Sequence, residues 1–418
     1  MLDIKFIREN KGLVKNGARD KGYDVDIEKL LKADQKRRSL LENIEKLQAE
    51  INKSSKGKPE AKEIEQLKSK KKKIHSWKTE LQKVEKEFKE LMLEVPNMPA
   101  KDVKIGKDES KNFVIEKVGT PPKFNFKIKD HIELGKELDL IDIERTAKVS
   151  GSRFYYLKNE AVLLEFAIVK WVLDTLQKEG FSPVVPPVIV KEESMRAMGY
   201  IERQDREEIY YLDKDNQYLV GTAEQSIGPM HKDEIFKEEE LPRRYVGFST
   251  CFRREAGSYG KDVKGIIRVH QFDKLEMFSF VKPEDSDKEH YFFLDLERKF
   301  VKDLSLPFQV VGIVSGDLGF PTARKIDIET WVPTQEKYRE THSCSTTTDF
   351  QARRLNIRYR TKKSKLEFVH TVNGTAIAIP RILVAILENY QQKDGSVKIP
   401  EVLQKYTGIK EVKKKEIV

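Results

Sequence analysis

The sequence predicts an α+β protein, with an N-terminal antiparallel helical coiled-coil arm followed by a domain built on an antiparallel sheet flanked by helices. Three observations lead to this prediction. Apolar residues recur at heptad spacing within residues 26–93. Two later strand-like runs bracket a polar loop, as the strands of a hairpin do. Strand-like and helical segments do not alternate regularly along the rest of the chain, which argues against a parallel doubly wound sheet.

The arm is predicted from two apolar seams on either side of a turn. Leu30, Ile44 and Ile51 share one heptad position, which Arg37 interrupts. The other seam residues are Ala33, Leu40, Leu47, Leu67, Ile74, Trp77, Leu81, Val84, Phe88 and Leu91. This period of about 3.5 residues predicts two helices that pack against each other, joined by a turn at residues 54–59. At about 1.5 Å per residue, the second helix would extend roughly 50 Å.

Lysines are concentrated towards the turn of this arm. They are Lys53, Lys56, Lys58, Lys62, Lys68, Lys70, Lys71, Lys72 and Lys73. Clustered lysines release counterions from a nucleic-acid backbone, so they favour a phosphate-binding surface. A solvated face on a purely structural coiled coil is the alternative. The formal net charge of +10 also favours a polyanionic partner.

Composition limits the domain organisation and the compartment. The 418 residues allow two or three domains, and prolines at 96, 99, 121 and 122 predict a linker. We therefore expect an N-terminal domain at 1–100 with its arm at about 26–93, a linker at 101–125 and a second domain at 126–418. The two cysteines form no CxxC pair, the N-terminus lacks a signal-peptide core, and no run of about 18 apolar residues occurs. These features predict a cytoplasmic protein with reduced thiols and no membrane association.

The second domain is predicted to combine helices with extended segments. Apolar residues at helical spacing predict a helix at about 160–179, and another is predicted at about 381–390, after Pro380. Residues 180–190 form a proline-punctuated extended run. The runs 245–252 and 266–280 predict the two strands of a hairpin, whose loop includes glycines at 257 and 260.

The hairpin carries the residues most suited to chemistry. Arg253 and Arg268 flank its loop, and guanidinium groups at such positions grip phosphates in a forked geometry. Glu255 follows Arg253 by two residues and is suited to accept a hydrogen bond from an adenine amino group, while Phe272 offers a stacking surface. A solvated hairpin loop is the alternative for an isolated Arg-x-Glu, but here the whole run is informative.

Residues 248–276 resemble motif 2 of class II aminoacyl-tRNA synthetases, and more closely that of the seryl-tRNA synthetases. Residues 180–187, ending in Pro187, resemble motif 1, and residues 373–390 resemble motif 3. Thr222-Ala223-Glu224 is similar to the serine-binding loop of the family, and residues 337–354 are similar to its metal and nucleotide segment. The arm is similar to the family's N-terminal tRNA-binding feature.

The resemblance implies roles for individual residues. Arg253 and Arg381 would be the catalytic cations, and Glu340 and Ser343 would ligate Mg²⁺. The implied serine-binding residues are Thr222, Ala223, Glu224, Arg253, Glu276 and Thr375. The implied ATP-binding residues are Arg253, Arg254, Glu255, Arg268, Val269, His270, Gln271, Phe272, Glu340, Thr341, His342, Ser343 and Arg381. His342 stands where many members carry a serine, and His270 has an alternative role as a hydrogen-bonded structural residue.

The resemblance also implies the reaction and the partners. L-serine would be activated by ATP to seryl-adenylate, and the seryl group would pass to the 3′ end of tRNA(Ser). Serylation of tRNA(Sec) stays open. Motif 1 implies a homodimer. Two other functions are weighed against this one: a synthetase-like protein that binds tRNA without charging it, and a structural coiled-coil adaptor. The complete set of Arg253, Glu255, Glu340 and Arg381 argues against both.

Overall fold

The computed structural model describes residues 1–54, 61–201, 207–256 and 264–414. These residues form two compact units, Met1–Met98 and Pro99–Val418. Of the turn predicted at 54–59, Ser54 is the last residue of a helix and residues 55–59 lie outside the described residues, as do the loop residues 257–260, Lys56, Lys58 and the side chain of Lys62. No helix in the described ranges has the length and the apolar character that a membrane span requires.

The first unit is helical and contains the predicted arm. Its helices are α1 (Ile4–Glu9), α2 (Lys11–Asp20), α3 (Ile27–Ser54) and α4 (Ala61–Leu93). Ion pairs join Lys36 to Glu80 at 2.7 Å and Lys70 to Glu50 at 2.8 Å, so early residues of α3 face late residues of α4 and the pair is antiparallel. The buried seam residues are Leu30, Ala33, Leu40, Ile51, Ile74 and Val84. The heptad prediction of a coiled-coil arm is therefore confirmed.

The interruption of the seam at Arg37 has a structural explanation. Arg37 lies 3.5 Å from the carboxylate of Asp34, and its guanidinium lies 4.7 Å from the centroid of the Phe88 ring on α4. Asp34 is fully buried and also contacts Arg38 at 3.0 Å and Arg8 at 3.5 Å. A buried carboxylate requires such cationic partners, so the polar positions here belong to the packing of the helices.

The second unit is a sheet protein with peripheral helices. Its strands are β1 (Phe113–Val118), β2 (Ile141–Asp142), β3 (Tyr156–Leu157), β4 (Ser182–Val184), β5 (Ile189–Lys191), β6 (Tyr211–Leu212), β7 (Gln217–Leu219), β8 (Ile235–Lys237), β9 (Arg243–Phe252), β10 (Gln271–Val281), β11 (Phe308–Gly312), β12 (Arg324–Val332), β13 (Lys337–Thr348), β14 (Arg358–Arg360), β15 (Leu366–Phe368), β16 (His370–Ala378), β17 (Val397–Lys398) and β18 (Glu411–Val412). Its helices are α5 (His131–Glu137), α6 (Ile143–Ser150), α7 (Glu160–Lys178), α8 (Glu192–Met198), α9 (Glu224–Ile227), α10 (Ser286–Asp303), α11 (Phe350–Leu355), α12 (Ile379–Asn389) and α13 (Glu401–Thr407).

The main sheet has eight strands in the order β1-β11-β12-β13-β16-β10-β9-β4. Every neighbouring pair in it is antiparallel except β4 with β9. The predicted antiparallel sheet and its β9–β10 hairpin are therefore confirmed. Along β10, Leu275 and Met277 enter the hydrophobic core, while Lys274 and Glu276 face the opposite side, as strand alternation requires.

Three boundaries differ from the sequence-based expectations. The second hairpin strand begins at Gln271 and not at residue 266, because the backbone N–H of Ile266 donates to the ring of His131 and not to a neighbouring strand. Residues 101–125, expected as a linker, contain β1, whose pairing with β11 makes them part of the main sheet. Helix α12 begins at Ile379, so Pro380 lies in its first turn, where a missing N–H carries little cost.

Candidate active site

A cleft of about 550 Å³ opens on the face of the main sheet that Lys274 and Glu276 share. A smaller cavity of about 40 Å³ adjoins it. The predicted site residues that line one or both are Thr222, Glu224, Arg253, Glu255, Arg268, Val269, Phe272, Glu276, Glu340, Thr341, Ser343, Thr375 and Arg381. Residues from five separate parts of the second unit therefore meet in one place, as the sequence patterns predict.

One end of the cleft is lined by two buried carboxyl groups. Glu224 begins α9 and Glu276 lies on β10, and both are almost inaccessible to solvent. Burial raises the pKa of Glu224 to about 7, and the charge of Glu276 adds to this effect. The hydroxyl of Tyr200 donates to Oε1 of Glu224 at 2.6 Å and opposes that rise. The buried hydroxyl of Thr222 has no hydrogen-bond partner within the described part of the chain, so it is available to a ligand.

Glu276 is fixed by one neighbour on its own strand and one on the adjacent strand β16. Nζ of Lys274 lies 2.6 Å from its Oε2, and the hydroxyl of Thr375 donates to the same oxygen at 3.3 Å. Thr375 lies opposite Glu276 in the β10–β16 register. Both of these contacts use Oε2, which leaves Oε1 to accept a hydrogen bond from a small polar ligand in the cleft.

Arg253 occupies the centre of the site, directly after β9. Its backbone N–H donates to the carbonyl of His270 at 3.0 Å, which keeps the two sides of the hairpin together. Its Nε donates to the carbonyl of Gly221 at 3.3 Å, and its guanidinium carbon lies 5.3 Å from the centroid of the Phe272 ring. These contacts hold a positive charge between the two carboxyl groups and the aromatic surface of Phe272.

The other two arginines are each paired with a carboxylate of the same site. Arg268 donates to Glu255 at 2.7 Å, and Arg381 donates to both the backbone carbonyl and the carboxylate of Glu340 at 2.9 Å. Desolvation would raise the pKa of Glu340, but the charges of Arg381, Lys325 and Arg253 outweigh it and lower its pKa to about 2. Glu340 is therefore ionised throughout the physiological range.

The predicted metal ligands Glu340 and Ser343 line the same cleft. Within the described ranges, no group of three or more His, Cys, Asp or Glu residues is arranged to hold a metal ion. One ionised carboxylate and one hydroxyl are a donor set that suits Mg²⁺, which is commonly held by one or two protein oxygens together with waters and substrate phosphates. The residues present therefore fit the ion that the sequence implied.

Five residues from the predicted sets do not line either cavity. They are Ala223, Arg254, His270, Gln271 and His342. Alternation along β13 turns His342 away from the face that Thr341 and Ser343 share, and burial lowers its pKa to about 3. His270 is a structural residue. Its ring Nδ1 contacts the carbonyl of Arg253 at 3.0 Å, and its backbone N–H donates to the carbonyl of Arg153.

Other cleft residues were not predicted from the sequence. They are Tyr200, Lys274, Lys325 and Asn373, among others. Lys274 could have been found, because period-two alternation places it on the same face as Phe272 and Glu276. Tyr200 and Lys325 are distant in sequence from every motif, and only the tertiary fold brings them to the cleft.

A buried histidine anchors the return segment of the hairpin loop. Nδ1 of His131 lies 2.8 Å from Oε1 of Glu388 on α12, and the N–H of Ile266 donates to Nε2 of His131 at 3.4 Å. Gly265 has a φ of +82°, and a Cβ there would lie 2.1 Å from this histidine ring. The anchor positions Ile267 and Val269, which line the smaller cavity.

The fold and the cleft correspond to a known class of enzyme core. Residues 210–390 match the family model of the tRNA synthetase class II core domain, which covers the G, H, P, S and T enzymes. Residues 1–99 match the model of the seryl-tRNA synthetase N-terminal domain. The two models together cover the helical arm and most of the residues that line the cleft.

Full-length comparisons agree with these matches. The chain is 46% identical over 425 residues to the serine–tRNA ligase of Dictyoglomus turgidum, covering 100% of both chains. A crystal structure of seryl-tRNA synthetase from Pyrococcus horikoshii complexed with ATP superposes with a TM-score of 0.92 at 40% identity, over 100% of both chains. A cytoplasmic serine–tRNA ligase from Naegleria fowleri in complex with AMP gives 0.88 at 33% identity, over 100% of this chain and 99% of the other. The chain belongs to the serine–tRNA ligase family of class II aminoacyl-tRNA synthetases, and it is a ligase.

Proposed function

We propose that the cleft binds L-serine and ATP side by side, forms seryl-adenylate, and transfers the seryl group to the 3′ end of tRNA(Ser). The observation that supports this most directly is the pair of buried carboxyl groups, Glu224 and Glu276, in the same cleft as Arg253, Arg268 and Arg381. The ammonium and hydroxyl groups of serine complement the two carboxyl groups. The phosphates of a nucleoside triphosphate complement the three arginines.

Serine is proposed to bind at the end of the cleft that contains the two carboxyl groups. Its ammonium group would contact Glu224 and the unpartnered hydroxyl of Thr222, and its side-chain hydroxyl would donate to Glu276 beside Thr375. Alanine would leave Oε1 of the buried Glu276 carboxylate without the hydrogen bond from serine, and sites built to bind a substrate hydroxyl discriminate by about 10⁴-fold. Threonine adds only a methyl group, which is a weaker filter of roughly 10–200-fold.

ATP is proposed to bind in the adjoining part of the site. The adenine ring would stack on Phe272, and Glu255 would accept a hydrogen bond from its amino group. Arg253 would contact the α-phosphate, and Arg268 and Arg381 would contact the β- and γ-phosphates. Binding then requires an exchange of partners, because Arg268 and Arg381 are paired with Glu255 and Glu340 before the nucleotide enters.

The chemistry needs charge stabilisation and not a covalent nucleophile. A carboxylate oxygen of serine attacks the α-phosphorus, the bond from that phosphorus to the bridging oxygen breaks, and pyrophosphate leaves. Arg253 would bring the two anions together and stabilise the charge that develops between them. Mg²⁺, held by Glu340 and Ser343, would neutralise phosphate charge when bound. In the second step, a ribose hydroxyl at the 3′ end of the tRNA attacks the seryl carbonyl and AMP leaves.

The first unit is proposed to bind tRNA through the arm at 26–93, and the region at 126–418 is proposed as the catalytic domain. Lys68, Lys71 and Lys72 on α4 are exposed, whereas Lys70 is partly neutralised by Glu50. A homodimer is proposed through motif 1, on the apolar side chains that α7 and the segment after β4 expose. Serylation of tRNA(Sec) transcripts, assayed beside tRNA(Ser), measures whether that tRNA is a second substrate.

The decisive experiment is amino-acid-dependent exchange of pyrophosphate into ATP. We expect exchange with serine, a rate lower by about 10⁴-fold with alanine, and an intermediate rate with threonine. E276A should reduce serine exchange and bring it close to the alanine rate, because the hydroxyl then loses its acceptor. Absence of serine-dependent exchange in the unaltered chain would refute the proposed enzyme and leave a tRNA-binding protein without catalysis.

A further inference from the structure

We infer that Lys274 is a positioning and specificity-determining residue, which holds the Glu276 carboxylate in place as the acceptor for the side-chain hydroxyl of serine. This inference rests on the proposed function, because it concerns how the same cleft recognises serine. It assigns a role to a residue within the segment 248–276 for which the resemblance implied none.

The geometry of Lys274 is unusual for a lysine. Lys274 is only 5% exposed to solvent and Glu276 only 2%, so both charged groups are removed from water. Nζ of Lys274 lies 2.6 Å from Oε2 of Glu276, two residues further along β10. Lysine is almost never buried to this degree unless it is paired, and a buried pair is poor evidence for stability alone. A functional explanation is therefore favoured.

The neighbouring carboxyl groups show why Glu276 requires its own cation. Burial raises the pKa of Glu297, on α10, far above its usual range, with a smaller contribution from the charge of Glu276. Neither oxygen of Glu297 has a hydrogen-bond partner in the described part of the chain, and burial favours the protonated form of this carboxyl group. Glu224 has a pKa of about 7 and is only partly ionised near neutral pH. Without Lys274, Glu276 would experience the same desolvation.

The groups that face Glu276 come from several elements. On the cleft side they are Lys274 on β10, Thr375 on β16, Cys251 on β9, Arg253 directly after β9, Glu224 on α9 and Tyr200 after α8. Glu297 on α10 and Cys344 on β13 lie on the other side of the sheet and interact with the charge of Glu276 at longer range. Lys274 is the cation in direct contact with the Glu276 carboxylate. The carboxylate oxygen that it contacts also accepts from Thr375, so the pair fixes the orientation as well as the charge.

Removing this cation should change what Glu276 presents to the ligand. A buried carboxylate without a counter-ion takes up a proton, and it then offers a donor where an acceptor is needed. A hydrogen bond that involves a charged group is roughly twice as strong as one between neutral groups. Serine should lose this advantage, while alanine, which makes no such bond, should be nearly unaffected.

The test compares K274M and K274R with the unaltered chain in pyrophosphate exchange at saturating ATP. We expect K274M to lower kcat/KM for serine by roughly 10–100-fold, mainly through KM, with alanine exchange changed less than about threefold. K274R should recover part of the activity. A purely structural role for Lys274 would instead lower the exchange rates with serine and alanine alike, without a selective rise in the KM for serine.

A double-mutant cycle and a stability control complete the design. In an E276Q background, K274M should cost little more, because Lys274 acts through the carboxylate that is already gone. R244M removes another ion pair of the same sheet, in which Arg244 contacts Glu289 at 2.7 Å, and it should preserve the serine-to-alanine ratio. The inference would be overturned if K274M lowered kcat/KM for serine and alanine equally, or if its loss in the E276Q background were additive. A rise in the KM for ATP larger than that in the KM for serine would also overturn it. Failure of the unaltered chain to exchange serine would instead reject the proposed function.

Discussion

The charges of the cleft are organised as pairs within the site itself. Arg268 is paired with Glu255, Arg381 with Glu340, and Lys274 with Glu276. Paired charges in a partly desolvated cleft are less costly than isolated ones, so the site can hold its cations ready before ligands arrive. In the proposed complex, the first two pairs would be exchanged for contacts with ATP, whereas the Lys274–Glu276 pair would persist beside bound serine.

Glu224 gives the site a pH dependence whose sign follows from its raised pKa. Above pH 7 the carboxylate is ionised and would attract the ammonium group of serine as proposed, and below pH 7 it holds a proton that serine binding would have to displace. We expect kcat/KM for serine, measured by exchange at saturating ATP, to fall by roughly tenfold from pH 8 to pH 6. Y200F should move the midpoint to higher pH, because Tyr200 donates the hydrogen bond that lowers this pKa.

A matched tyrosine variant controls that measurement. The hydroxyl of Tyr211 donates to the side chain of Asn216 at 3.0 Å at an exposed position. Y211F therefore also removes a tyrosine hydroxyl, but one that does not contact Glu224. Its profile should follow that of the unaltered chain. A midpoint in Y200F at or below that of the unaltered chain would contradict the assignment of Glu224 to the ammonium group.

At the scale of elements, local patterns predicted what local physics determines. Heptad spacing predicted α3 and α4, because burial of a seam between two helices depends on the spacing of residues along each of them. The β9–β10 hairpin was predicted because its two strands are close together in sequence and bracket a polar loop. Strand β1 was missed, because its partner β11 lies about 200 residues away in sequence and its own burial pattern is mostly exposed. The contact between Lys274 and Glu276 follows from the alternation of side chains along β10, which the resemblance to motif 2 does not express.

Helix α7 has an apolar face that the second unit leaves exposed. Phe166 is 60% exposed, and Leu163 on the same helix and Val185 after β4 are exposed as well. Exposed apolar groups of this kind are typical of an association surface, and the proposed homodimer would place a second copy of the chain on it. We expect F166D to shift the chain from dimer to monomer in sedimentation velocity, because association would bury the new charge.

An exposed apolar residue outside α7 provides the control for that variant. Ile105 is more exposed than Phe166, so I105D introduces the same charge without altering the α7 face. It should sediment like the unaltered chain. A monomer in the unaltered chain, or a dimer that F166D leaves intact, would contradict the proposed interface.

At the scale of the whole molecule, the two units carry different parts of the proposed reaction. Every residue that lines the cleft belongs to Pro99–Val418, while the long helices belong to Met1–Met98. Adenylate formation should therefore depend on the second unit, and selection of tRNA on the first. Two measurements separate them, because pyrophosphate exchange proceeds without tRNA and aminoacylation does not.

The arm lysines provide the sharpest test of this division. Lys71 and Lys72 are exposed on α4, and removing one lysine that binds a phosphate should reduce the salt dependence of tRNA binding by about one unit of slope. We expect K71A/K72A to raise the KM for tRNA(Ser) by roughly tenfold at moderate salt, with a slope lower by about two, while serine-dependent exchange is unchanged. K46A is the matched control, because Lys46 on α3 is already paired with Glu42 at 2.5 Å and should contribute little to a phosphate surface.

If K71A/K72A impaired exchange and aminoacylation equally, or if K46A had the same effect on tRNA, the lysines of α4 would be acting on the fold or through net charge alone. A selective fall in aminoacylation would instead identify this stretch of α4 as the phosphate-binding surface of the arm.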